Sequence, residues 1–319
     1  MHQEVLNVDL FDVKCARPML IGMSRDAFDD SGYIHELKLD GIRCIAYLGD
    51  RRTELRGKNL LDITSKYPEL GAIHEQVSGR VVLDGEIYVM RQGRPSFAEI
   101  QRRIRTSDRM RISVASGLLP VSFTAFDILF KDGQQLMDRP LMERKEILSQ
   151  TVLRESDRLS VSRYIDTYGE ALFTLSAKEG LEGIVSKRKD SFYRMGARTT
   201  DWIKCKTLID DDYVVCGYIE NDAKTASIIL GQYADSNQLM YKGRVTLGTS
   251  RGDWDIIHSL PKQQAAPFNA PHGNEAAVWV APSLVCAVQF LERTASGGIR
   301  HPVFKGLRDD MTPEECLTH

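Results

Sequence analysis

No run of apolar residues in this chain reaches the length needed to cross a membrane, and Met1-His2-Gln3-Glu4 lacks the charged-then-apolar order of a secretory leader. Neither a membrane setting nor export is expected. Cysteine is scarce: six residues, Cys15, Cys44, Cys205, Cys216, Cys286 and Cys316, with no Cys-x-x-Cys pair and no ligand spacing with histidine. That excludes a zinc ribbon and a disulfide framework, and leaves reduced, mostly buried thiols of the kind a cytosolic protein carries. Internal repeats and low-complexity tracts are absent, so solenoid and linker architectures fall away. An excess of positive charge is missing too. The net charge is −2, so any surface for nucleic acid must be local.

One local surface stands out. Between Arg91 and Arg111 there are seven arginines and only two acids, Glu99 and Asp108. Such runs are usually solvated faces. With 319 residues, 42% hydrophobic and 27% charged, the chain is an ordinary globular one, sized for two domains. Residues 1–21 read as a lead-in broken by Pro18. Strands are expected at 34–39 and 43–48, flanking Asp40-Gly41 as a hairpin, and at 81–90, 121–130, 183–187 and 202–206. Helices are expected near 97–104, with Ser96 as N-cap and Glu99 three residues on, and at 139–153 and 170–179. After Lys206 the texture changes. Asp210-Asp211-Asp212 is a polar break, and short strands follow at 213–219, 227–233, 239–247, 278–280 and 285–291, with a loop at 261–274. That pattern predicts a small β-barrel.

The chemistry-bearing residues sit at strand ends. Glu36-Leu37-Lys38-Leu39-Asp40-Gly41-Ile42-Arg43 places a lysine before an Asp-Gly turn, with apolar neighbours on both sides. A half-buried lysine favours its neutral, nucleophilic form; taken alone, the same run reads as a surface lysine of a hairpin. Asp84-Gly85-Glu86 and Lys204-Cys205-Lys206 each put two like charges on one face of a strand. Phe126-Asp127, Glu182-Gly183-Ile184-Val185-Ser186-Lys187 and Asp201-Trp202 complete the set. Asp127 has two readings, a structural tie or a site residue.

In this order and spacing the segments resemble the ATP-dependent DNA ligases of the covalent nucleotidyltransferase superfamily, over about Pro18 to Asp310. The C-terminal pattern Trp279-Val280-Ala281-Pro282, Val288-Gln289-Phe290 and Ile299-Arg300-His301-Pro302-Val303-Phe304-Lys305-Gly306-Leu307-Arg308 is most like the ligase module of bacterial end-joining ligases. The resemblance implies an α+β fold: a nucleotidyltransferase domain, ATP-grasp-like and rich in antiparallel sheet, over 1–208, then an OB-fold β-barrel over 209–319. It implies nick sealing between 3′-OH and 5′-phosphate ends through a lysyl-AMP and a DNA-adenylate. ATP is the implied cofactor, with AMP carried on Lys38, together with Mg²⁺ or Mn²⁺. Lys38 would be the nucleophile. Asp40 would hold its geometry, and Lys204 and Lys206 would lower its pKa and hold the α-phosphate. Glu86 and Glu182 would lie on the metal side. Arg43 and Arg56 would contact nucleotide sugar or DNA phosphate, Phe126 would stack on adenine, and Glu36 would read it. Lys187 and Arg308 would also bind the nucleotide.

The implied partners are nicked duplex DNA and bacterial end-joining or repair proteins. A monomer without appended nuclease, polymerase or DNA-binding domains is expected, at the nucleoid in the bacterial cytoplasm. One departure is plain. The family usually ends in Arg-x-Asp-Lys, whereas here Arg308-Asp309-Asp310 is followed by Met311, which puts the efficiency of lysine adenylation in question. Three rival readings stay open at this level: an RNA ligase, a capping guanylyltransferase, and a nucleic-acid-binding scaffold whose catalytic domain is dead.

Overall fold

The computed structural model describes residues 9–49, 51–207, 209–220, 226–234, 238–290, 292–293, 298–300 and 302–318. The start of the expected lead-in, Leu291 at the end of the expected strand 285–291, and His301 of the C-terminal pattern lie outside them. The chain divides into two compact units, Met1–Thr207 and Leu208–His319. No helix among the described residues is long and apolar enough to cross a membrane.

The first unit contains two sheets. One has five strands in the order β1 (Leu20–Ser24), β12 (Arg198–Lys206), β11 (Gly183–Arg188), β2 (Asp29–Leu37), β10 (Tyr164–Tyr168). The other has seven. Its path runs β4 (Arg52–Gly57), β3 (Ile42–Gly49), β5 (Val81–Arg91), β7 (Val121–Lys131), β8 (Gln134–Gln135), with β6 (Arg94–Pro95) on β5 and β9 (Leu159–Val161) on β7. The central strands of this second sheet are buried on both faces. Cys44 to Leu48, Val81 to Leu83 and Phe123 to Phe130 are near-continuous apolar runs for that reason. Helices α1 (Leu10–Val13), α2 (Phe97–Arg105), α3 (Arg109–Leu118), α4 (Leu141–Thr151) and α5 (Gly169–Lys178) complete the unit, with α4 packed on β7 and α5 on β2 and β11.

The expected hairpin around Asp40-Gly41 does not form. β2 pairs with β10 and β11, whereas β3 pairs with β4 and β5. The Asp-Gly bend therefore carries the chain from one sheet into the other. A Cβ on Gly41 would lie 2.3 Å from the carbonyl oxygen of Ile87, so the crossing needs glycine.

The arginine-rich stretch spans two helices, α2 and α3. Ser96 is the N-cap of α2 but makes no capping bond through its side chain, and Glu99 is taken by Arg102 and Arg91 instead. Arg103 points inward and is 1% exposed. It donates to both carboxylate oxygens of Glu69 and to the carbonyls of Leu119 and Lys66, so it ties these segments together and is withheld from any ligand. Arg102 and Arg105 remain on the surface. Asp127 proves to be a structural tie, bound by Arg144 of α4 with both side chains wholly buried.

The second unit is a curled antiparallel sheet. Its path is β15 (Leu239–Val245), β14 (Ala226–Tyr233), β13 (Ile209–Glu220), β17 (Val278–Phe290), β16 (Lys262–Gln263), with β20 (Val303–Arg308) also on β17. A separate two-stranded ladder joins β18 (Glu292–Arg293) to β19 (Ile299–Arg300). Between β15 and β20 the described residues show one isolated bridge, Leu247 to Val303. The unit is thus a half-barrel, and the fully closed barrel expected from the strand spacing is not clearly formed. Residues 278–290 make one strand where two short ones were expected, because Pro282 falls at the register shift opposite Val215–Gly217, where no ladder hydrogen bond is lost. Helix α6 (Arg251–Ser259), which the strand-dominated pattern hides, is capped by a reciprocal Ser250–Asp253 box. Met311 packs partly buried in the apolar cluster with Val214, Cys216 and Ile229, so the position that carries lysine in the family pattern serves this unit's core.

Candidate active site

Strand alternation builds the site. On β12, Ile203 and Cys205 face the cluster formed with Leu172 of α5, which leaves Trp202, Lys204 and Lys206 on the opposite face. On β11 the same alternation sends Ile184 into that cluster and Val185 and Lys187 to the other side. On β2, Glu36 shares this outer face, while His35 is buried behind it against Ser186, its Nδ1 2.8 Å from the Ser186 hydroxyl. The second sheet contributes Arg43, Glu86 and Phe126. With Glu36, Val185, Lys187 and Trp202 of the first sheet these three line a pocket between the two sheets, and Ile21, Leu37, Lys38, Leu39 and Ser162 complete its wall.

Lys38 follows β2 directly, and its backbone N–H donates to the carbonyl of Gly183 at 2.9 Å. Gly183 has φ +133°, and a Cβ there would lie 2.1 Å from the Cys205 oxygen, so only glycine lets β2, β11 and β12 meet beneath the lysine. The Lys38 side chain is 23% exposed, and its ammonium lies 2.7 and 2.8 Å from the two oxygens of Glu182. Lys206 approaches the same carboxylate at 3.7 Å. Two lysines from different strands thus share one carboxylate at the mouth of the pocket.

Arg43 is held by Asp84 through two 2.6 Å bonds, and Asp84 also accepts from Tyr193 Oη at 2.5 Å. Its guanidinium lies 4.5 Å from the centre of the Phe126 ring, and the Lys187 ammonium lies 4.3 Å from it. Glu36 is buried. Its carboxylate meets Lys145 at 2.5 Å and Lys187 at 2.9 Å, and accepts from the Ser162 hydroxyl at 2.8 Å. Burial alone pushes this carboxyl up, but the two lysines outweigh it and hold it below the ordinary value. Burial also brings Lys187 down to about 8, against the pull of Glu36.

Glu86 is the inverse case. Burial pushes it up to about 8 despite Arg43 and Lys38, and Glu182 and Asp84 add to the rise. No group of three or more potential metal ligands occurs among the described residues. Glu86 has too little positive charge around it to ionise at neutral pH and Glu182 adds repulsion, which a hard cation would relieve. The sign of the linkage gives a test. The unfolded carboxyl ionises near 4.5 and the folded one near 8, so the folded state binds more protons in that window and stability falls as pH rises through it. Glu86→Gln is therefore expected to gain about 1 kcal/mol or more over the natural chain on moving from pH 5 to pH 9, or ~2–4 °C in melting temperature. An equal difference at both pH values would contradict the buried-carboxyl account.

The structure thus gathers Glu36, Lys38, Arg43, Glu86, Phe126, Glu182, Lys187 and Lys206 in and around the pocket. Lys204 shares the strand face of Lys206. Asp40 lies in the bend and does not line the pocket. Arg56 sits on edge strand β4, bound to Glu54 and to the carbonyl of Leu60, away from the lining residues. Arg308 belongs to the second unit, where Asp310 and Asp212 hold it. The sequence left Lys145, Ser162 and Tyr193 unmarked and gave Asp84 and Trp202 no role. Nothing local announces Lys145, Ser162 or Tyr193, because each enters the site from a distant element.

Residues 18–206 match the family described as ATP dependent DNA ligase domain, and residues 221–311 match the ATP dependent DNA ligase C terminal region. The chain is 30% identical over 300 residues to the multifunctional non-homologous end joining DNA repair protein LigD of Mycobacterium tuberculosis, covering 90% of this chain and 37% of that protein. It thus spans little more than a third of the end-joining relatives it matches. It is 29% identical over 296 residues to the SPbeta prophage-derived DNA ligase-like protein LigB of Bacillus subtilis, covering 91% of this chain and 98% of the relative. Among solved structures it resembles a mycobacterial DNA ligase D complexed with ATP and MES, with TM-score 0.70, 29% identity and coverage of 96% and 99%. The ligase domain of M. tuberculosis LigD gives TM-score 0.54 at 28% identity, with the same coverage.

Proposed function

This chain belongs to the ATP-dependent DNA ligase family, and from that premise we propose that it seals nicks between 3′-OH and 5′-phosphate ends through an AMP carried on Lys38. The observation that carries the proposal is the pairing of Lys38 with Glu182 at 2.7 Å, at the mouth of an aromatic-walled pocket, with Lys206 on the same carboxylate. Lys38 Nζ attacks the α-phosphorus of ATP, and the bond to the bridging oxygen breaks as pyrophosphate leaves. The ammonium must first lose a proton, and the positive charges of Lys204 and Lys206 favour that loss. Lys204 and Lys206 present positive charge to the α-phosphate as it gains negative charge in the transfer. Glu86 and Glu182 would hold Mg²⁺ or Mn²⁺, which supplies charge neutralisation to the phosphates. Phe126 offers the nucleobase a face and Glu36 an acceptor. Arg43 and Arg56 are assigned to nucleotide sugar or DNA phosphate, and Arg308 to the nucleotide.

We read the first unit as the nucleotidyltransferase domain, residues 1–208, and the curled sheet as an OB-fold domain, residues 209–319. The substrate is nicked duplex DNA, handled by a monomer in the bacterial cytoplasm, in repair or end joining. The outward Arg102 and Arg105 suit phosphate contact. The experiment is a sealing assay on a duplex with a single 5′-phosphorylated nick, with ATP and a divalent cation. The expected result is ligated strand with a transient DNA-adenylate. A chain that forms the lysyl adduct yet seals no nick would overturn the proposal. An adduct formed with GTP in place of ATP would return it to the guanylyltransferase reading.

A further inference from the structure

Lys145 lies outside every motif that marks the site, yet it holds the pocket wall together. It sits on α4, beside Arg144, and is 5% exposed. Its ammonium reaches Glu36 Oε1 at 2.5 Å and donates to the carbonyls of Phe126 and Ser162, each at 3.3 Å. One lysine thus joins the strand that carries the pocket's aromatic ring, the segment that carries Ser162, and the buried carboxylate that faces the pocket. The two oxygens of Glu36 are unequal. Oε2 accepts from Lys187 and from the Ser162 hydroxyl. Oε1 meets the Lys145 ammonium, and Glu36 is one of the residues that line the pocket. Glu36 precedes Lys38 by two residues, roughly 7 Å along an extended strand, which is within reach of the base of a nucleotide joined to Lys38.

We propose that Lys145 is a positioning residue for base selection, keeping Glu36 ionised so that it accepts a hydrogen bond from a 6-amino purine and repels a 6-oxo purine. The proposal rests on the reading of Glu36 as the group that meets the base. An ionised carboxylate is acceptor-only, whereas a protonated one also donates. Adenine offers an amino group at C6 and guanine a carbonyl oxygen, so the charge state of Glu36 decides which of them fits. Without Lys145 the carboxylate keeps one lysine in a buried place, and burial favours the protonated form.

The test measures the rate of nucleotide adduct formation on Lys38 with labelled ATP and labelled GTP, in the full chain and three variants. Lys145→Met removes the charge and the contacts. Lys145→Gln removes the charge but keeps a donor toward the Phe126 and Ser162 carbonyls, and serves where the methionine variant melts too low. Lys145→Arg keeps the charge. The expected result is a fall on the order of tenfold or more in the ATP-over-GTP ratio for Lys145→Met and Lys145→Gln, since one partner of a buried charge pair is lost. The change should fall mainly on KM for ATP, with recovery in Lys145→Arg. A natural ratio in Lys145→Gln or Lys145→Met would overturn the role of Lys145. Glu36→Gln is run beside them: if it leaves the ratio unchanged, the reading of Glu36 itself fails, and the role of Lys145 fails with it.

Discussion

Lys38→Ala is expected to eliminate the covalent AMP adduct, by at least about 10⁴-fold, because a nucleophile has no substitute within its own constellation. The neighbouring amines do not replace it. Lys187 is buried and committed to Glu36, and Lys206 approaches the shared carboxylate from β12, a different strand. The fold should survive, since removing Lys38 leaves Glu182 with Lys206 as its counter-charge. Mass spectrometry of the chain after incubation with ATP and a divalent cation reads the result directly. Binding of a nicked duplex should persist, because phosphate contacts supply most of that affinity. An adduct on any other lysine in the variant would sink the assignment.

How much of this was legible in the sequence depends on where each side chain enters the pocket. Lys38, Glu182, Lys204 and Lys206 stand within short segments whose residue types and order carry the family resemblance, so they are readable one strand at a time. The alternation that puts Trp202, Lys204 and Lys206 on one face follows from strand geometry alone. The Asp40-Gly41 crossing was misread for a physical reason: an Asp-Gly pair between two apolar runs is the ordinary hairpin signal, and only the pairing of β2 with β11 and β3 with β5 separates them into different sheets. Arg103 was misread because composition does not tell a surface arginine from one folded under Glu69. Lys145, Ser162 and Tyr193 were invisible because their meaning is long-range. Tyr193 meets Asp84 across 109 residues, and Ser162 meets Glu36 across 126. The half-barrel of the second unit, in turn, depends on which strands pair, and spacing predicts strands better than closure.

The second large effect concerns stability. Asp127→Ala is expected to destabilise the chain by about 3–5 kcal/mol, because it strands a buried guanidinium. Arg144 donates to Asp127 Oδ1 at 2.7 Å and to Oδ2 at 2.8 Å, with no solvent exposure on either side chain. Its remaining nitrogen donates to the carbonyls of Arg139 at 2.5 Å and Ser191 at 3.0 Å, so the charge is fixed in place and cannot swing out to water. The melting temperature should fall by on the order of 10 °C. The cost lies in the uncompensated charge and not in the worth of the pair. Replacing both partners with apolar residues, Asp127→Leu with Arg144→Met, should therefore recover most of the loss, as apolar packing in place of a buried ion pair often does. The neighbouring Phe126 keeps its place in the pocket wall through Lys145 at its carbonyl, so the double variant should retain adduct formation at low temperature. Thermal melts of the three proteins decide it. A single variant that melts with the natural chain would mean that Arg144 finds another counter-charge, and a double variant no better than the single would mean that shape, not charge, sets the cost at this position.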